Sequence, residues 1–193
     1  DLYKDVDYPI ASVIAGSGFL LILLLEKVFF PEHEHPGIGQ RKAALQIYPY
    51  VLMLTLSVHS VITGIALGAE QQIAGASVLF IAVIAHKGSA AFALGTSMLR
   101  SGFKPALFNN MIVAFSLMTP VGILAGLILT QMLTGTAEQR FEAVFDAIGS
   151  GTFLYIATLD ILQDEFTNPQ QRRAKYALVA LGFAIMAVIA IWM

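Results

Sequence analysis

Long apolar runs broken by short polar clusters fill the chain from end to end. Six of these runs approach the ~20 residues a helix needs to cross a bilayer: about 9–30, 45–69, 72–99, 107–134, 141–163 and 175–193. Polar stretches separate most of them, PEHEHPGIGQRK (31–42), RSGFKP (100–105), TGTAEQR (134–140) and QDEFTNPQQRRAK (163–175). Only Glu70, Gln71 and Gln72 stand between the second and third runs, which predicts a tight helical hairpin. The pattern predicts an all-α, polytopic membrane bundle of six transmembrane helices, a single transmembrane domain over residues 1–193. Glycines recur within the predicted helices: Gly16, Gly18, Gly64, Gly68, Gly88, Gly95, Gly122, Gly126, Gly149 and Gly151. Residues this small let helices approach closely in lipid, and packing accounts for most of them.

Composition sharpens the picture. Of the 193 residues 57% are hydrophobic and 12% charged, half the ~25% of a soluble domain. Cysteine is absent, so a bound metal would have to use His, carboxylate, Met or hydroxyl oxygen. The chain begins at Asp1 with no signal peptide before the first run, as expected of a trimmed or partial chain. The basic residues are sorted by face. Lys4 and Arg140 fall on one side, against Lys27, Arg41, Lys42, Arg100, Lys104, Arg172, Arg173 and Lys175 on the other. Two against eight predicts that the 31–42, 100–105 and 163–175 linkers are cytoplasmic and that both termini are extracytoplasmic.

Within the apolar runs, LTLSVHSVITGIALGAE (54–70) and VIAHKGSAAFALG (83–95) carry polar groups at depth. His59 and His86 lie mid-helix on the two arms of the hairpin, where both imidazoles can face one interhelical space. His59, Thr63, Ala66 and Glu70 share one helix face, and His86, Ala90, Ala93 and Ser97 form the facing stripe of mostly small residues. Ionisable residues inside membrane segments commonly mark an ion pathway; the alternative is a structural pair of hydrogen-bonded histidines. Lys87, about 100° around the helix from His86, points to a neighbouring groove, with Glu26, Glu70 and Asp160 as candidate partners and either a structural or a functional role. Enzyme readings fail: HExxH and GxSxG are absent, and adjacent His59 and Ser60 cannot face each other as base and nucleophile.

HSVITGIALG (59–68), HKGSAAFALG (86–95) and GTFLYIATLDIL (151–162), with FLLILLLEKV (19–28) and SLMTPVG (116–122), resemble the ZIP family of divalent metal transporters. The likeness is to the eukaryotic branch with HSxxEGxALG and HKxxxAFxLG patterns, and it covers essentially the whole chain. The resemblance implies an eight-helix fold of which this chain matches the third through eighth helices and lacks the first two. It implies that His59 and His86 bind the metal and that Ser60 occupies a ligand position. Lys87 and Thr119 stand where two-metal members carry acidic ligands, so a lysine ammonium substitutes for a second ion. His33 and His35, in the EHEH stretch, would capture Zn²⁺ weakly near the inner mouth or form an ordinary solvated loop. Thr63 departs from the family pattern, which has a carboxylate there.

Two functions follow from the resemblance. The first is a plasma-membrane or organelle transporter moving Zn²⁺, with Fe²⁺ and Mn²⁺ as further candidates, toward the cytoplasm through a mid-membrane His site. Glu26, Glu70 and Asp160 would relay cations at its mouths, and uptake would fall below about pH 6.5, the ordinary imidazole pKa. The second is a degenerate homologue that serves as a membrane scaffold or regulator. The expected partners are a divalent ion as substrate, the lipid bilayer and a second copy of the chain; no cofactor and no nucleic acid are expected.

Overall fold

The structure is a computed structural model and describes residues 8–29, 40–133, 135–167 and 169–189, without the side chains of 40–46, 164 and 189. Every regular element among them is helical. Helix α1 (Ile10–Leu23) continues into a π-helical stretch, Leu24–Phe29. Then come α2 (Gln40–Ala69), α3 (Ile73–Arg100), α4 (Pro105–Thr130) and α5 (Thr136–Tyr155). A second π-helical stretch, Ile156–Leu162, leads to α6 (Gln163–Thr167) and α7 (Arg172–Ile189). The chain divides into two compact units, residues 1–156 and 157–193.

Five helical segments are long and apolar enough to cross a membrane: Ile10–Phe29, Ile47–Ala69, Ile73–Arg100, Pro105–Thr130 and Thr136–Thr167. They correspond to the first five apolar runs. The sixth run falls on α7, whose 18 described residues begin with Arg172, Arg173 and Lys175; residues 190–193 lie outside the described part. Large apolar side chains face outward, among them Ile81, Ile84 and Phe92 on α3 and Val113, Leu124 and Ile128 on α4. Water would not tolerate so broad an apolar surface, whereas hydrocarbon does. The molecule is a polytopic helical membrane bundle.

Polar local chemistry ends these helices. At the α2–α3 turn the backbone N–H of Gln72 donates to Glu70 Oε1 at 2.6 Å, giving the tight hairpin its corner. At the end of α3, Gly102 adopts φ +71°, Gly102 N–H bonds Leu99 O and Phe103 N–H bonds Met98 O. This is the paired closure that a glycine beyond the C-cap permits. Pro105 then starts α4, where its missing N–H costs nothing. Two clusters expected as linkers are helical instead. α5 already begins at Thr136, with Glu138 in its first turn, where a carboxylate favours the positive helix end. Likewise Gln163–Thr167 forms α6.

In the first unit α2 packs chiefly against α4, and also against α5 and α3, while α1 packs against α5. The α2–α4 contact is a reciprocal glycine seam. A Cβ on Gly64 would press on Thr119 O and Gly122 Cα, and one on Gly122 would press on Val61 O and Gly64 Cα. Gly68 and Gly126 repeat the relation one turn further on, against Ile123 and Ile65. Gly18 and Gly151 allow the same intimacy between α1 and α5, where Phe19 and Tyr155 meet edge-on at 5.1 Å. Backbones this close give van der Waals contact, the main attraction left between helices in lipid.

Candidate functional site

Three helices of the first unit bring polar groups to one cleft. α2 supplies His59, Ser60 and Thr63, α3 supplies His86 and Lys87, and α4 supplies Phe115 and Thr119. Leu56, Val83 and Ala90 complete the lining. His59 is only 4% exposed, and its ring centroid lies 5.6 Å from that of His86, the planes tilted by 53°. Phe153 of α5 closes a three-ring cluster, 5.7 Å from His59 and 5.1 Å from His86.

The His59 ring is held by a hydroxyl from α5. His59 Nδ1 lies 2.7 Å from Thr152 Oγ1, and the Thr152 hydroxyl donates to Gly149 O at 2.8 Å. His59 Nε2 is buried and has no hydrogen-bond partner among the described residues. Thr63 donates within its own helix, to His59 O at 3.1 Å and Ser60 O at 3.3 Å.

Lys87 occupies an adjoining niche. Its Nζ donates to Thr119 Oγ1 at 2.8 Å, Phe115 O at 3.3 Å and Ser60 Oγ at 3.4 Å. It also stands 4.2 Å from the centre of the Phe115 ring, within cation–π range. These partners are neutral oxygens and an aromatic face. Neither Glu26 nor Glu70, two of the carboxylates considered for it, is among them.

Those carboxylates are engaged elsewhere. Glu26 sits buried in the first π-helical stretch, with Oε1 2.6 Å from Lys27 Nζ and Oε2 without a partner among the described residues. Glu70 accepts from Gln72 and shares a side-chain hydrogen bond with Glu142. Asp160 is buried in the second π-helical stretch. His33 and His35 lie outside the described residues. Among the described residues no three His, Cys, Asp or Glu side chains gather as a group able to hold a metal, and no carboxylate lines the cleft. Sequence reasoning brought together His59, His86, Ser60, Thr63, Lys87 and Thr119. It missed Thr152, Phe153 and Phe115, although the first two lie in the GTFLY run already singled out.

Comparison with known proteins then decides the family. The sequence model described as "ZIP Zinc transporter" matches residues 29–190. The chain belongs to the ZIP family. It is 33% identical to the zinc transporter ZIP2 of Mus musculus, over 97% of this chain and 68% of that protein. It is 30% identical to the zinc transporter ZIP1 of Homo sapiens, over 96% of this chain and 66% of that protein. The chain therefore spans about two thirds of the length of these ZIP relatives. No solved structure matches it significantly. ZIP proteins are metal transporters rather than enzymes, and the chain is an integral membrane member of that family.

Proposed function

We propose that this ZIP protein carries Zn²⁺ toward the cytoplasm, with Fe²⁺ and Mn²⁺ as further candidate substrates, through the His59–His86 cleft. One observation carries the reading, the 5.6 Å separation of the two imidazoles. Two imidazoles holding one Zn²⁺ at ~2.0–2.1 Å per Zn–N bond, near tetrahedral, have ring centroids roughly 5–6 Å apart. The rings thus need little movement to share an ion, and the buried Nε2 of His59 has no competing partner among the described residues. Thr63 Oγ1, whose lone pairs remain after its proton goes to the helix, and water would fill further positions. Ser60 and Thr119 serve a different end. They fix the Lys87 ammonium, which occupies the neighbouring niche as a permanent +1 charge in place of a second ion.

Transport follows from substitution and release. The imidazoles replace part of the hydration shell at mid-membrane, Lys87 repels the ion enough to prevent trapping, and helix movement opens the cleft alternately to either side. Glu70 with Glu142, and separately Glu26, would pass cations at the mouths. The distribution of basic residues supports a topology with both termini outside the cytoplasm. Both ligands must be unprotonated to bind metal, so acid competes with uptake. The deciding experiment is radioactive Zn²⁺ uptake by the full chain in proteoliposomes: His59→Ala and His86→Ala should each reduce it to background. Undiminished uptake by the double variant would eliminate the mechanism.

A further inference from the structure

We infer that Thr152 is a positioning residue for the metal. It fixes the tautomer of His59 so that Nε2 presents a bare lone pair to the cleft. The inference rests on the reading of His59 as a ligand and deepens it.

The argument counts protons. A threonine hydroxyl has one hydrogen, and that of Thr152 goes to Gly149 O at 2.8 Å. Toward His59 Nδ1, 2.7 Å away, Thr152 Oγ1 therefore offers only lone pairs. A hydrogen bond at that distance needs the hydrogen on Nδ1. A neutral imidazole carries one N–H, so Nε2 is left as the lone-pair nitrogen. The opposite tautomer makes two errors at once: Nδ1 and Oγ1 would face each other lone pair to lone pair, and Nε2–H would be buried without an acceptor.

Two further features strengthen the case. Thr152 is fully buried, and its bond back to the carbonyl three residues earlier holds χ1, so the oxygen cannot turn away. His59 Nε2 is one of the few buried side-chain nitrogens or oxygens with no partner among the described residues. A buried orphan of this kind calls for an explanation, and an incoming cation supplies one. The second partner of a ligating histidine is ordinarily a carboxylate, a backbone carbonyl or water. Here it is a neutral hydroxyl from another helix, so the ring is oriented without added negative charge.

The test uses the full chain with ¹⁵N-labelled histidine in lipid bilayers, free of metal, with the His59 signals assigned by their loss in His59→Asn. The wild-type protein should show the Nδ1–H tautomer at His59. Thr152→Val, nearly isosteric but without the hydroxyl, should lose that bias and weaken Zn²⁺ binding about 10–100-fold. Thr152→Ser should restore both. An Nε2–H tautomer in the wild type would overturn the inference, and so would wild-type spectra and Zn²⁺ affinity in Thr152→Val. A serine variant no better than valine would reduce Thr152 to packing. If His59→Asn binds Zn²⁺ like the wild type, the metal-site reading itself is lost, and that outcome is separate from the tautomer measured without metal.

Discussion

Thr63 lines the cleft one helical turn after His59, and its hydroxyl proton is spent on carbonyls of its own helix. A carboxylate at this position would add a counter-charge that the described cleft lacks. Desolvating a divalent ion beside a fixed ammonium is costly without one. Thr63→Glu should therefore tighten Zn²⁺ binding by at least about tenfold, a gain of roughly 1.4 kcal/mol, as measured by titration in nanodiscs. If wild type carries no Zn²⁺ and the variant does, the natural protein is a scaffold rather than a carrier. The histidine pair was legible in the sequence because an ionisable ring at membrane depth stands out against apolar neighbours. Thr152 was not, since a threonine among GTFLY residues looks like packing until α5 is placed against α2. The sequence leaves the setting of Lys87 open for a related reason. Charge complementarity suggested carboxylates, but hydroxyls, a carbonyl and an aromatic face reach the ammonium first.

At the scale of helices, the glycine seam between α2 and α4 is highly sensitive to substitution. Gly122→Ala places a methyl group against Val61 O and Gly64 Cα, both backbone atoms that cannot turn aside. Overpacking of this kind costs about 1–3 kcal/mol. Gly16→Ala makes an informative comparison, because nothing lies within 4 Å of its Cβ position and alanine favours a helix by up to ~1 kcal/mol. Thermal unfolding in detergent should show Gly122→Ala melting below wild type and Gly16→Ala at or above it; equal melting points would mean that the seam is not close-packed in the membrane. Five of the six expected spans could be read from apolar length, and the hairpin from its three polar residues. The starts of α5 and α6 could not, because hydropathy reports where lipid ends while a helix continues into polar sequence. Nor could the π-helical stretches around Glu26 and Asp160, which depend on backbone geometry that no residue spacing announces.

For the molecule as a whole, orientation can be tested directly because the chain has no cysteine to interfere. Ser101→Cys sits between α3 and α4, and Ala137→Cys at the start of α5. With the basic loops cytoplasmic, a membrane-impermeant maleimide added to intact cells should label Ala137→Cys and spare Ser101→Cys. The reverse pattern would invert the transport direction proposed here. The glycine seam also divides labour between the two imidazoles. His59 belongs to a helix clamped backbone-to-backbone against α4 and tied by its ring to α5. His86 rides on α3, which touches α4 sparingly and turns much of its surface outward. On the proposed reading, a jaw with one fixed side opens only by moving the other, and letting go of the cargo would mean swinging His86 while His59 serves as the anvil.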